Sequence, residues 1–180
     1  MRLEGKIAIV TGAGSGFGEG IAKKFVAEGA KVLIADRDAA GGERVARALG
    51  ANARSLRIDV TDEADVKRMF DAAQDLFGGL NILVNNAGVA HVPQPLEGLP
   101  EDEFDQILAV NVKAIYLAAK EVVPRFKLQK QGVILNIAST AGVSPRPRLT
   151  GYNASKGWVI TATRSMVTGV AMEVDGGRCI

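Results

Sequence analysis

The stretch Lys6–Gly18, KIAIVTGAGSGFG, decides the fold that this sequence predicts. Its first half is apolar and β-branched, which is typical of a buried strand, and its second half is rich in glycine. Gly12, Gly16 and Gly18 follow a G-x-x-x-G-x-G spacing, and an amphipathic segment begins at Gly16. Glycines permit a tight turn from strand to helix and let a helix N-terminus approach a phosphate closely. The stretch therefore predicts the first strand–loop–helix unit of a dinucleotide-binding sheet.

The alternative interpretation of this stretch is a plain glycine-rich turn that binds nothing. The spacing does not follow the G-x-G-x-x-G pattern in any register, although the physics of its glycines is similar. A phosphate-binding P-loop is excluded because no Gly-Lys-Ser/Thr follows the glycines. The choice between a ligand loop and a plain turn depends on the rest of the chain.

Strand-like apolar runs alternate with amphipathic segments along the whole chain. The predicted strands are Lys6–Gly12, Lys31–Arg37, Ala53–Val60, Asn81–Gly88, Gly132–Ser139 and Gly169–Asp175. The predicted helices are Gly16–Glu28, Ala39–Leu49, Asp62–Phe77, Glu101–Gln129 and Tyr152–Met166. Thr61 is expected to cap the N-terminus of the third helix, and Gly29 and Gly78 are expected at helix C-termini. This order predicts an α/β fold: a Rossmann-type, doubly wound parallel sheet of about six strands with helices on both faces.

Length and composition predict a single domain over residues 1–180. The chain is 47% hydrophobic and 23% charged, as in ordinary globular proteins, and has a net charge of +2 without a basic run. Nucleic acid is therefore not expected as a partner. The lone cysteine, Cys179, excludes an intrachain disulfide, and no metal site is expected. No run is long enough to span a membrane and no secretory signal precedes the first strand, so a cytoplasmic location is expected.

Asp36 closes the second predicted strand, 18 residues after Gly18. A carboxylate at this position can accept hydrogen bonds from both ribose hydroxyls of a dinucleotide. It would repel a phosphate on the 2′-hydroxyl, and Ser15 in the glycine loop brings no cation to bind one. Arg37 could pair with such a phosphate, but Asp36 precedes it. The sequence favours NAD over NADP as cofactor.

Tyr152 and Lys156 lie four residues apart in YNASK, on one face of a predicted helix. A phenol with a pKa near 10 is a poor base at neutral pH unless its anion is stabilised. The positive charge of Lys156 favours the tyrosinate and lowers that pKa. Ser139, at the carboxyl end of the fifth strand, is placed to hydrogen-bond a substrate oxygen. These three side chains suit proton transfer to or from an alcohol.

Five motifs in order make the chain resemble the short-chain dehydrogenase/reductase family from about Lys6 to Met166. They are TGAGSGFG, NNAG at Asn85–Gly88, VNV around Asn111, Ser139, and YNASK, with Ser139 lying 13 residues before Tyr152. The resemblance implies NAD-dependent interconversion of a secondary alcohol and a ketone, and it makes Asn111, Ser139, Tyr152 and Lys156 the catalytic residues. It implies cofactor binding by Gly12, Ser15, Gly16, Phe17, Gly18, Asp36, Arg37, Asp59, Val60, Asn86, Ala87, Gly88, Tyr152 and Lys156.

The resemblance gives Asn111 the role of holding a water that relays protons from Lys156, whose ammonium would also bind the nicotinamide ribose. The alternative is that Asn111 only ties two strands together through their backbone. Taken singly, Tyr152 would be a packed tyrosine and Lys156 a solvated helix residue. These alternatives do not explain why all of these residues follow a dinucleotide loop in order.

Four residues outside the motifs carry weaker expectations. His91 is expected to be an exposed loop residue, and Arg146 and Arg148 are expected in a solvated loop, although they could bind a carboxylate or phosphate. Trp158 is expected in the core or against a second subunit. The family resemblance implies a homodimer through the Asn111 and Tyr152 helices.

The chain departs from the family pattern between about residues 166 and 168. TATRSM passes directly into VTGVAMEVDGG, without the Pro-Gly element and helical lid that the family places between these segments. Gly169–Asp175 is expected either to pair beside the fifth strand or to stay loose. The substrate is not predicted, since sugars, steroids, acyl thioesters and polyols all remain open. A catalytically impaired dinucleotide-binding remnant is the alternative to an active oxidoreductase.

Overall fold

The computed structural model describes residues 1–166. Its strands are β1 (Ile7–Thr11), β2 (Lys31–Asp36), β3 (Ala53–Arg57), β4 (Ile82–Asn85) and β5 (Val133–Asn136). Its α-helices are α1 (Gly16–Ala27), α2 (Ala39–Leu49), α3 (Glu63–Phe77), α4 (Glu101–Leu108), α5 (Ala114–Leu128) and α6 (Thr150–Ser165). The predicted strand Gly169–Asp175 lies outside the described residues.

The five strands form one sheet in the order β3-β2-β1-β4-β5. β1 pairs in parallel with β2 on one side and with β4 on the other, and β2 pairs in parallel with β3. Strand order therefore reverses at β1, which defines the switch point of a doubly wound sheet. The predicted Rossmann-type architecture is confirmed, with five strands among the described residues.

Two compact units divide the chain. The first comprises Met1–Ala87 and Ala114–Leu135, and the second comprises Gly88–Lys113 and the chain from Asn136 onward. The first unit contains β1 to β4 with α1, α2, α3 and α5. The second contains α4 and α6. The expected departure from the family pattern, between about 166 and 168, falls at the end of the described residues.

The core of the first unit follows from the alternation of side chains along the strands. Ile9, Leu33 and Leu83 are fully buried on one face, where they join a cluster supplied by α3 and α5. Residues one position along, such as Ile34, face the opposite side, where α2 brings the small residue Gly42 close to its side chain. Burial on both faces explains why these strands are continuously apolar.

Several strands end earlier than the sequence predicted, because side chains near their ends form hydrogen bonds. Asp59 and Asn86 lie inside the predicted strand segments but follow the observed strands. The Asp59 carboxylate accepts from Thr61 N in a turn, and Asn86 Nδ2 donates to Thr11 O. Asp62 caps α3, not Thr61, because the Asp62 carboxylate accepts from Asp65 N while the Thr61 hydroxyl donates to Asp59. Gly78 ends α3 in a left-handed conformation, as expected.

The predicted helix Glu101–Gln129 is not continuous. A π-helical turn over Ala109–Lys113 separates α4 from α5. Such a turn widens the helix and changes which side chains point inward, and it places Asn111 in the interior at 1% exposure.

Candidate functional site

The glycine loop after β1 is shaped by close backbone packing. A Cβ at Gly18 would lie 2.2 Å from Gly12 O, and a Cβ at Gly12 would lie 2.9 Å from Ala87 Cα. Gly12 also has a φ of +63°, a conformation that favours glycine. Any larger residue at these two positions would force the loop and the chain after β4 apart.

Polar bonds from Thr11 and Asn86 fix the same loop. The Thr11 hydroxyl accepts hydrogen bonds from the backbone N–H groups of Asn86 and Ala87, and it donates to Val84 O. Asn86 Nδ2 donates to Thr11 O at 2.9 Å and to Gly12 O at 3.1 Å. Asn86, expected as a cofactor ligand, therefore uses its amide hydrogens to hold the loop, and Thr11 is a positioning residue that the sequence did not reveal.

The outer side of the loop is open where a pyrophosphate would need to approach. Ser15, Gly16 and Phe17 are exposed, and a Cβ at Gly16 would meet no atom within 4 Å. Ser15 precedes α1 without capping it through its side chain, so the first N–H groups of this helix are free of a side-chain acceptor. Open space together with free helix N–H groups fits an anionic cofactor phosphate.

Asp36 is held in place by the loop that it faces. Its Oδ2 accepts from Gly14 N at 2.8 Å and its Oδ1 accepts from Asp38 N at 2.9 Å. Arg37 is exposed. Both carboxylate oxygens keep lone pairs for further donors, so the arrangement fits ribose hydroxyl groups.

Arg44 on α2 also holds the glycine loop in place, a role that the sequence analysis did not predict. Its guanidinium donates to Gly14 O at 2.9 Å and forms an ion pair with Glu19 at 2.6 Å. The hydrogen bonds from Arg44 and from Lys23 lower the pKa of Glu19 to about 2. The ion pair between Arg44 and Glu19 joins residues on two different helices, so only the packing of α2 against α1 could reveal it.

Asp59 and Val60 follow β3 in a turn. Asp59 Oδ1 accepts from the backbone and the hydroxyl of Thr61, and Asp59 N donates to Asp65. Val60 is half-buried against the core of the first unit. Asp59 is exposed, so its side chain is accessible to a ligand.

In the second unit, α6 presents Tyr152 and Lys156 together. Lys156 Nζ lies 5.9 Å from the centroid of the Tyr152 ring, which places the cation beside the aromatic face. Lys156 is 5% exposed, and its Nζ donates to Ile137 O at 2.8 Å. Burial lowers the pKa of the Lys156 ammonium. Tyr152 is half-buried, and its hydroxyl makes no hydrogen bond to residues 1–166.

Ser139 begins a short turn that packs against the same helix. The turn Thr140–Gly142 approaches α6 so closely that a Cβ at Gly142 would lie 2.6 Å from the backbone carbon of Lys156. Ser139 Oγ accepts from Ala141 N at 3.1 Å, and its hydroxyl hydrogen has no acceptor among the described residues. The turn and the Lys156–Ile137 bond thus bring Ser139 next to the helix that carries Tyr152. Gly88, the last residue of NNAG, is exposed.

Asn111 joins the segment after NNAG to α6. Its Oδ1 accepts from Val89 N at 2.9 Å, and its Nδ2 donates to Val89 O at 2.8 Å and to Ser155 Oγ at 3.0 Å. Ser155 Oγ in turn donates to Tyr152 O. The side chain therefore ties a loop to α6, which differs from the expected tie between two strands.

One of the weaker expectations is wrong. His91 is buried at 4% exposure, not exposed, because its loop is tied down at both ends, by Asn111 at one and by a bond from Gln94 N to Arg148 O at the other. Trp158 is 36% exposed, so it does not lie in the core, and its other expected placement, against a second subunit, stays a prediction.

Arg146 and Arg148 are exposed as expected, and neither forms an ion pair within residues 1–166. That described part also contains no group of three or more metal-binding side chains. None of its helices is both long enough and apolar enough to cross a membrane.

A parallel sheet with an open glycine loop at its switch point, and a Tyr–Lys pair on one helix, define a class of Rossmann-type oxidoreductases. The family model described as short chain dehydrogenase matches residues 6–174. The chain belongs to this family, as its motifs indicated.

Curated relatives in this family are about two fifths identical to the chain over the aligned residues. The 4-formylbenzenesulfonate dehydrogenase TsaC1/TsaC2 of Comamonas testosteroni is 44% identical over 174 residues, which cover 92% of this chain and 67% of the relative. Galactitol 2-dehydrogenase of Agrobacterium fabrum is 40% identical over 166 residues, covering 92% of this chain and 64% of the relative. The chain thus spans about two thirds of the length of these relatives.

A solved structure shares both fold and sequence. The 3-ketoacyl-(acyl-carrier-protein) reductase from Brucella melitensis, complexed with NADH, superimposes with a TM-score of 0.88 at 51% identity. The match covers 91% of this chain and 69% of that one.

Proposed function

We propose that this chain transfers a hydride between NAD(H) and a secondary alcohol or the corresponding ketone, with Tyr152 as the acid–base group. The observation that carries the proposal is the buried ammonium of Lys156, 5.9 Å from the Tyr152 ring centroid on the same helix. Family membership and the NADH-bound relative support hydride chemistry.

Tyr152 would take the proton of the alcohol during oxidation and return it to the ketone during reduction. A phenol does this near neutral pH only if its anion is stabilised. A cation in a buried position interacts with a nearby anion more strongly than it would in water, because little solvent screens the two charges. The hydroxyl of Tyr152 makes no hydrogen bond to residues 1–166, so it is available to a substrate.

Lys156 suits this role because it has no anionic partner among the described residues. Its one hydrogen bond goes to the neutral carbonyl of Ile137, which leaves two ammonium hydrogens for other acceptors. Burial lowers its pKa, so the uncompensated charge is costly to the fold. A tyrosinate would offset that cost.

Ser139 and Asn111 would support the reaction from either side of the tyrosine. The free hydroxyl hydrogen of Ser139 can be donated to the oxygen of the substrate. Asn111 uses both amide hydrogens and its oxygen within the protein, so it acts here as a positioning residue for α6. A water that relays protons would have to bind the remaining lone pair of the Asn111 side-chain oxygen or the Asn111 backbone carbonyl.

The residues of the glycine loop would hold the cofactor. NAD, when bound, supplies or accepts the hydride. The N–H groups at the start of α1 would bind its pyrophosphate, Asp36 its adenosine ribose, and Asp59 and Val60 its adenine side. The negative charge of Asp36 supports NAD over NADP, since it would repel a 2′-phosphate.

Alcohols and ketones define the substrate class. The named relatives act on an aromatic aldehyde, a polyol and a ketoacyl thioester, so the family alone does not select the compound. We propose in addition that the protein is a homodimer through the Asn111 and Tyr152 helices. The exposed Trp158 on α6 supports this, and light scattering after size exclusion tests it.

The experiment for the proposed function separates binding from turnover. Melting curves with and without NAD measure cofactor binding, and a panel of secondary alcohols and ketones measures turnover by NADH absorbance. We expect NAD to raise the melting temperature and at least one alcohol to be oxidised. A melting temperature that NAD raises, with no turnover of any compound in the panel, would instead identify a dinucleotide-binding remnant. If NAD neither raised the melting temperature nor supported turnover, both interpretations would be refuted.

A further inference from the structure

His91, the only histidine of the chain, has an unsatisfied nitrogen in the interior of the second unit. Its Nδ1 lies 2.9 Å from Val92 O. Because a carbonyl oxygen only accepts hydrogen bonds, Nδ1 carries the proton, and Nε2 of the neutral ring is an acceptor. Nε2 is buried and makes no hydrogen bond within the described part of the chain.

A buried acceptor without a donor is uncommon in a folded protein. The large majority of buried side-chain polar atoms have at least one partner, and leaving one without a partner destabilises the structure. The other ring nitrogen of His91 fixes the tautomer, so the ring cannot remove the deficit by moving its proton. The site therefore requires an O–H or N–H donor that residues 1–166 do not provide.

The segment that carries His91 runs alongside the start of α6. At one end, both backbone groups of Val89 bind the Asn111 amide, which also binds Ser155. At the other end, Gln94 N donates to Arg148 O, two residues before α6 begins. In the sequence, Tyr152 lies between Arg148 and Ser155. His91 is thus held beside the helical turns that present the Tyr152 side chain.

We propose that His91 Nε2 accepts a hydrogen bond from a second hydroxyl group of the substrate, adjacent to the carbon that is oxidised. The inference rests on the proposed function, in which the reacting hydroxyl is bound by Tyr152 and Ser139. An additional hydroxyl of the same substrate would therefore supply the missing donor. The preferred substrates are vicinal diols or polyols and, in the reverse direction, α-hydroxy ketones.

Kinetics with a matched pair of alcohols test this preference. For the unmodified full chain with NAD, kcat/KM for 2,3-butanediol exceeds that for 2-butanol by about tenfold or more, because the mono-alcohol leaves Nε2 without a partner. In His91→Leu the ratio falls to about one. His91→Gln, which can place an amide oxygen near the position of Nε2, retains part of the preference. Equal values for the two alcohols in the unmodified chain would overturn the proposal, as would an unchanged ratio in His91→Leu.

A second measurement needs neither turnover nor a variant. Because the chain has one histidine, the ¹⁵N signals of its imidazole belong to His91 without ambiguity. In the full chain with NADH, adding the diol shifts the Nε2 signal and adding 2-butanol does not. If the Nε2 signal shows a hydrogen bond before the diol is added and does not change afterwards, a bound water is the donor. That result would refute the inference. If no alcohol is turned over, the proposed function fails while this titration still decides the role of His91.

Discussion

Replacing Asn111 by alanine removes three hydrogen bonds from the interior of the second unit. The amide contacts Val89 N, Val89 O and Ser155 Oγ at 2.8 to 3.0 Å, and the residue is 1% exposed. Each such bond contributes about 1 kcal/mol, and buried partners left unpaired add further cost. We therefore expect Asn111→Ala to lower the free energy of unfolding by about 3–5 kcal/mol.

Urea denaturation followed by far-UV circular dichroism measures this loss. For a chain of this size the melting temperature would fall by about 2–4 °C for each kcal/mol. Ser155→Ala is the matched control, because it removes only the contact of Asn111 with Ser155 Oγ and the bond from that hydroxyl to Tyr152 O. If Asn111→Ala cost no more than Ser155→Ala, the amide would not be what holds the loop to α6.

Three other substitutions follow from the site. Lys156→Met removes a buried ammonium whose pKa is lowered by burial; it should abolish turnover yet raise the free energy of unfolding at neutral pH by about 1 kcal/mol. This gain should shrink in urea titrations as the pH rises through about 10.4, the ordinary pKa at which an unfolded lysine loses its proton. Asp36→Asn keeps an acceptor for Gly14 N but removes the charge, so the ratio of kcat/KM for NADP to that for NAD should rise about tenfold or more; an unchanged ratio would contradict the role of the charge. Gly18→Ala, whose Cβ would lie 2.2 Å from a backbone oxygen, should cost about 1–3 kcal/mol and weaken NAD binding measured by calorimetry, whereas Gly20→Ala, with open space around it, should do neither.

The sequence predicted the sheet because its determinants are local. Continuous apolar runs such as Val32–Ala35 require burial on both faces, and the glycine loop requires a turn, so both could be recognised without knowing the packing. The boundaries were less accurate, because Asp59 and Asn86 end their segments through contacts with neighbouring turns.

The supporting contacts of the site could not be predicted in the same way. The apolar pattern of Glu101–Gln129 has helical periodicity on both sides of the π turn, so it does not reveal the interruption that turns Asn111 inward. Arg44 on α2 reaches Gly14 O in the glycine loop, and these two residues are 30 positions apart in the chain. His91 lies in a proline-containing loop whose composition indicates exposure, and its burial follows only from the distant contacts that fix that loop.

The substitution Tyr152→Phe tests whether the Tyr152 hydroxyl carries the proton. Phenylalanine keeps the ring beside Lys156 and removes only the oxygen. With an alcohol that the unmodified chain oxidises, we expect kcat to fall by at least about 100-fold, a larger factor than any change in the dissociation constant for NADH. Turnover by Tyr152→Phe at the unmodified rate would contradict this role of the hydroxyl.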